Sequence, residues 1–221
     1  MMITARRYHA HSMLPLSQDP EADALISTDP LALLIGMVLD QQVPLERAFH
    51  SPLDLQQRLG RPLDAEEIAD MDPNELVELF TRRPALHRFP GSMARRVQDM
   101  CQVLVDEYGG RADQVWRSAP TGQALLANIR ALPGFGEHKA AIFVALLAKR
   151  LGVAPPGWEA AAGEFGAPGT YLSVADIDSP EALAQVRAHK AAVKAAAKGR
   201  PGADSRDVAR AGGQVAGTAP V

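Results

Sequence analysis

The chain has a single cysteine, Cys101, and only 5% aromatic residues in 221 positions. One thiol cannot close an internal disulfide or supply a four-cysteine metal or iron–sulfur site, so no cluster is expected and a reducing compartment fits. Long apolar runs are missing too. None reaches membrane-spanning length, and the opening MMITARRYHA lacks both the continuous apolar segment and the small-residue cleavage site of a secretory signal. The expectation is a cytoplasmic protein with no membrane partner. His9, His11, His50, His87 and His189 show no paired spacing of the zinc type, which argues against a transition metal. No segment alternates apolar and polar residues as a half-buried strand does. Nor is positive charge in excess: a formal net charge of -3 and a pI near 6.1 exclude indiscriminate coating of nucleic acid, which relies on a large positive field.

What is present is 47% hydrophobic and 22% charged, enough to bury a core in one domain or in two small lobes flanking a cleft. The periodicity is helical throughout, so the fold class expected is all-α. Residues 1–22 show little periodicity and read as a mobile N-terminal arm, with Met13 an alternative start. Residues 23–198 read as one helical domain with a compact core over 23–151, and the glycine- and alanine-rich 199–221 as a disordered tail. Asp29-Pro30 caps a nearly all-apolar, hence buried, helix over 31–39. Short amphipathic helices follow in PLDLQQRLG, DAEEIADM and DPNELVELFTR. The clearest amphipathic helix carries Met93, Val97, Met100, Cys101, Leu104 and Tyr108 at helical spacing and closes at Gly109-Gly110; Cys101 there reads as core packing. A last helix opens at Ser179-Pro180. Positive charge is uneven, gathered in Arg82, Arg83, His87, Arg88, Arg95 and Arg96, and again in Arg187, Lys190, Lys194, Lys198 and Arg200.

The string LPGFG, residues 132–136, joins two helices across five residues. Its proline ends one helix, its two glycines allow positive φ, and Phe135 between them points into the core. Such a turn leaves backbone N–H groups unpaired. The second helix starts at the turn, so those donors and the positive end of its dipole face one point, which suits a phosphate oxygen read without regard to base sequence.

In order along the chain, LLIGMVLDQQV, GSMARRVQDMCQVLVDEYGG and LPGFGEHKAAIFVALL resemble the early buried helix, the helix before the hairpin and the hairpin itself of the helix-hairpin-helix DNA glycosylase superfamily of base-excision repair. The resemblance covers roughly residues 30–151 and implies a helical protein that binds double-stranded DNA, as a monomer, at the nucleoid. It implies a cluster-less member with no required cofactor, although main-chain carbonyls of the hairpin in this family can hold an alkali cation beside the DNA phosphate. Carried over residue by residue, Gln41 and Gln42 stand where an amide fills the gap left by an extruded nucleotide. Pro133, Gly134, Phe135, Gly136, His138 and Lys139 stand at the hairpin's DNA contact.

Breaking an N-glycosidic bond develops positive charge on the sugar, so a carboxylate is expected nearby. The family places an aspartate shortly after the second hairpin helix, and this sequence departs from that pattern. Counted by register past Gly152, the position is Glu159 in PPGWEAAAG; judged by residue type and the helix that follows, it is Asp176 in SVADIDSPEAL; or no catalytic carboxylate is present. Backbone-cutting members carry a lysine nucleophile where this chain has His138, and one residue turns a helical side chain by about 100°, so Lys139 is expected to face elsewhere. A monofunctional glycosylase is therefore expected. Trp158, beside PPG and Glu159, is the candidate base-stacking residue, whereas Trp116 reads as a packing anchor. Two other readings compete with this one. A binding module has the hairpin without the chemistry; a helical scaffold binds protein partners through Lys190 and Lys194.

Overall fold

The computed structural model describes residues 13–198, and among these it contains helices and turns but no strand. Eleven α-helices follow one another: α1 (Pro20–Thr28), α2 (Pro30–Leu39), α3 (Leu45–Leu59), α4 (Ala65–Asp70), α5 (Pro73–Thr81), α6 (Pro90–Tyr108), α7 (Gln114–Arg117), α8 (Gly122–Ala131), α9 (Glu137–Leu151), α10 (Trp158–Ala162) and α11 (Pro180–Lys198). Two short 3-10 turns, Gly163–Gly166 and Val174–Asp176, lie between α10 and α11. The all-α reading is met.

The helices start where short acceptors can satisfy their first N–H groups. Asp29 accepts from Leu31 N and Ala32 N at 2.8 and 3.2 Å, Asp72 from Asn74 N and Glu75 N, and Asp64 from Glu67 N; each such cap contributes about 1 kcal/mol. Every residue of α2 from 31 to 39 is buried, so this helix is the centre around which α1, α3 and α6 pack. α4 and α5 lie on α6, while α8, α9 and α10 form the other side of the molecule. Trp116 is 5% exposed and meets the Phe143 ring edge-on at 6.0 Å, the anchor its sequence context suggested. Cys101 is buried, and burial pushes its thiol up to about 12, which leaves it inert near neutral pH. No single helix among the described residues is long and apolar enough to cross a membrane.

Two boundaries differ from the sequence reading. Residues 13–22, expected to belong to a mobile arm, join the fold: Leu14 and Leu16 are fully buried, and Leu14 N donates to Ser27 Oγ at 2.8 Å. The buried Asp23 carboxylate accepts from Leu16 N, Ser17 N and Ser17 Oγ, so a single side chain of α1 fixes the strap below it. Residues 1–12 and the tail at 199–221 lie outside the described residues. The helix expected from Pro52 instead begins at Leu45 and runs through that proline. An interior proline costs a helix about 3 kcal/mol, which burial of Ala48, Phe49, Leu53 and Leu55 on one face offsets.

If the strap is part of the core, Leu14→Ala and Leu16→Ala should each lower stability by about 2–5 kcal/mol, the range for buried leucines. Urea midpoints measure this directly; changes within about 0.5 kcal/mol, the range for surface positions, would return these residues to a free arm.

Candidate nucleic-acid interface and the adjoining cavity

α8 ends at Ala131 and the chain turns through residues 132–136 into α9, with Phe135 N donating to Leu132 O at 3.1 Å. Gly134 has φ +94°, and a Cβ there would lie 3.0 Å from Arg96 Cδ and 3.3 Å from both Val38 methyls. The turn therefore seats against α6 and the end of α2 as closely as a backbone can. Phe135 is 5% exposed and packs on Phe143 with ring centroids 5.7 Å apart, which anchors the turn from below. Pro133 is half-buried beside it. Gly136, Glu137 and His138 are exposed, and no side chain caps α9, so the N–H groups of its first turn have no partner within the helix.

Gly136 is informative for the opposite reason to Gly134. Its φ of -76° suits any residue, and a Cβ there would touch nothing within 4 Å. The fold does not need glycine at this position; a close approach from outside would.

The end of α2 meets the hairpin. Gln41 donates from Nε2 to Val38 O at 2.7 Å and accepts on Oε1 from Arg96 at 3.3 Å. Its carbonyl is 2.7 Å from Nε2 of His87, which is 2% exposed; because His87 Nδ1 accepts from Phe89 N, the ring proton lies on Nε2 and is donated to Gln41 O. Gln42 is exposed with φ +56°, a left-handed conformation unusual for a residue with a Cβ, of the kind that collects at functional sites. Gln41, Arg96 and the hairpin thus share one face, with the exposed Gln42 next in the chain. In the sequence Arg96 and His87 are legible only as members of a basic segment. Nothing in the local sequence marks them as the side chains that join α6 and its preceding loop to the α2 terminus.

Lys139 requires a correction. The resemblance puts it at the hairpin's DNA contact, but its ammonium turns to α2, donating to Met37 O at 2.7 Å and Val38 O at 3.2 Å. Burial lowers its pKa to about 8, against the attraction of Asp40. Asp40 itself is raised by desolvation, opposed by Lys190 and Lys139. His138, one position earlier, faces a different way and meets the Phe165 ring edge-on at 5.0 Å.

The remaining candidates gather elsewhere. A cavity of about 520 Å³ is lined by Trp158, Glu159, Thr170, Tyr171, Asp176 and Asp178 among others, with Lys149 and Arg150 from the end of α9. The two alternative carboxylates of the sequence reading, Glu159 and Asp176, and the candidate stacking residue Trp158 therefore border one space. Asp176 is nearly buried and its oxygens are occupied: one accepts from Lys149 Nζ at 2.7 Å and Thr170 Oγ1 at 3.3 Å, the other from Leu172 N and Ser173 N. Glu159 is exposed at the start of α10. His138 and Lys149 are eleven residues apart, about three turns, so they share a face of α9 but stand about 16 Å apart along it. Among the described residues no group of three His, Cys, Asp or Glu side chains is placed to hold a metal ion.

The depressed Lys139 pKa carries a sign. The unfolded lysine stays protonated up to about 10.5 while the folded one releases its proton near 8, so stability rises with pH across that window. Wild type should gain on the order of 2–4 kcal/mol over Lys139→Met between pH 8 and 10.5 in paired urea titrations, and parallel curves would remove the burial argument.

Residues 35–199, most of the chain, match the family HhH-GPD, described as HhH-GPD superfamily base excision DNA repair protein. No curated protein and no solved structure matches the chain. The turn seated on α2 and α6, the helices on either side of it and the extent of this match agree: the chain belongs to the HhH-GPD superfamily of base excision DNA repair proteins.

Proposed function

We propose that this protein is a monofunctional DNA glycosylase that binds double-stranded DNA as a monomer and hydrolyses the N-glycosidic bond of an extruded damaged or mispaired base, acting at the nucleoid in the cytoplasm. The observation that carries the reading is the convergence of Gln41, Arg96 and the open N-terminus of α9 on one face, with the exposed Gln42 directly after Gln41. The N–H groups there would hold a phosphate, Arg96 would add positive charge, and the exposed Gln42 amide would enter the gap in the duplex. The cavity bordered by Trp158 would receive the base, with Glu159 the exposed carboxylate available to orient water or oppose charge on the sugar, and Asp176 holding the loop by its bonds to Lys149 and backbone. A backbone-cutting lyase step fits less well, because the expected amine position is His138 and the adjacent Lys139 spends its ammonium on α2 carbonyls. The turn's neutral carbonyl oxygens are hard donors of the kind an alkali cation takes. Leu132 O already accepts from Phe135 N and Gly136 O from Ala140 N, so such a cation would rest on the carbonyls of residues 133–135.

A second reading, a DNA-binding module without chemistry, has its own observations behind it: the Asp176 oxygens are fully engaged, and the cavity lies toward the far end of α9 from the hairpin.

Base release from duplexes carrying uracil, alkylated purines, oxidised bases and mismatches separates the two. The glycosylase reading expects one base to be freed by wild type and by Asp176→Asn provided it folds, and the release to be lost in Glu159→Gln. Loss in Asp176→Asn alone would transfer the role to Asp176, and no release with binding intact would favour the module. For the grip itself, Gly136→Ala should leave the melting temperature nearly unchanged while weakening duplex binding about tenfold or more, the worth of a hydrogen bond to a charged group. Unchanged affinity would remove the hairpin from the interface.

A further inference from the structure

α11 is anchored only by its first half. Ala182, Leu183 and Val186 are 3%, 4% and 1% exposed, whereas residues 190–196 are all exposed. The exposed part lies beyond the helix's apolar anchor. Its alanine-rich sequence can hold helical form without help from a core. What it presents is one sign of charge: from 187 to 196 there are Arg187, His189, Lys190 and Lys194, and no acidic residue. Arg187, Lys190 and Lys194 are spaced by three and four, so they form a single stripe along about 10 Å of helix. In a chain of net charge -3, such a stripe is a local positive field.

Its position is fixed by contacts beside the loop that follows α2. The Arg187 guanidinium pairs with the carboxylate of Glu46, in the first turn of α3 and four residues past Gln42. Asp40, immediately before Gln41, feels both Lys139 of α9 and Lys190 of α11. The Asp40–Gln42 segment therefore has the first turn of α9 and the stripe of α11 both within reach.

We infer that the Arg187, Lys190 and Lys194 face of α11 is a second phosphate-binding element, which takes the DNA backbone beside the Gln41–Gln42 loop in addition to the hairpin. The inference rests on the DNA-binding reading above. The hairpin offers backbone N–H groups at one point, while the stripe offers side-chain cations spread along a strand; together they would hold the duplex at two separate places near the nucleotide that is turned out. Lys190 and Lys194 supply the contacts, and Arg187, already paired, sets the angle at which the helix leaves the body.

The test is the salt dependence of binding to an undamaged fluorescent duplex, read by anisotropy, for full-length wild type, Lys194→Gln, Lys190→Gln/Lys194→Gln, Gly136→Ala and Arg61→Gln. Each lost phosphate contact lowers the slope of log affinity against log salt by about 0.9, so Lys194→Gln should lower it by about 0.9 and the double variant by about 1.8. Arg61, which pairs with Glu67 near the far end of α3, serves as the control and should leave the slope alone. Lys194→Gln lies apart from the Asp40 cluster, so its effect cannot come from disturbing that buried carboxylate; melting curves and helical circular dichroism establish that each variant is folded. Wild-type slopes in both lysine variants, with Gly136→Ala weakened, would overturn the second element and leave the hairpin reading standing. So would lysine variants that lose only self-association or capture of an acidic protein. Absence of duplex binding by wild type would overturn both readings.

Discussion

The carbonyl groups at the end of α2 impose the constraint on which the rest of the structure depends. A helix buried all round must still satisfy the last carbonyls that have no partner within it, and an unpaired buried carbonyl costs on the order of 1–3 kcal/mol. Here Asp40 N reaches Gly36 O, Lys139 Nζ takes Met37 O and Val38 O, Gln41 Nε2 adds to Val38 O, and Gln41 N takes Leu39 O. These bonds recruit the second hairpin helix and shape the loop that follows. The left-handed backbone of Gln42 and the pairing of His87 with Gln41 O belong to the same arrangement. A glutamine pair that reads as a surface feature is thus held in place by the interior.

α9 carries the consequences to two faces. Its first turn offers unpartnered N–H groups toward solvent, while Lys139 goes inward to α2 and His138 toward Phe165. One hundred degrees of helix rotation separates an amine fixed on carbonyls from an imidazole at an exposed position. Three turns on, Lys149 binds Asp176 and Ala167 O, closing the loop of residues 163–178 over the end of the helix. The same helix thus joins the face proposed for DNA and the cavity proposed for the base, and it also fixes their separation.

Charge is handled locally. An acidic chain cannot attract a polyanion by its net field, so cations must be concentrated where they are used. Arg96 stands at the hairpin and the α11 stripe beyond Glu46, while most remaining arginines with a described partner are tied to neighbouring carboxylates, as in Arg47 with Asp54, Arg61 with Glu67 and Arg150 with Asp178.

The sequence by itself determined the helical class, the cap at Asp29, the buried α2, the apolar face of α6 and the hairpin, because each is written in residues close together: a cap with its helix, an apolar period of 3.6, two glycines round a phenylalanine. It also placed Lys139 away from the direction of His138, since the angle between neighbours on a helix is local. Only the tertiary structure decided what depends on distant partners. Leu14 and Leu16 carry no period, and their burial follows from Ser27 and Asp23 receiving their backbone. Helix α3 passes through Pro52 because apolar area outweighs a lost hydrogen bond, a balance that propensity alone reads the other way. Arg96 meets Gln41 across 55 positions, and Lys139 meets Met37 across 102. Glu159 and Asp176, alternatives along the chain, border one cavity in space, because the chain between them folds back over α9 and Lys149 holds it there.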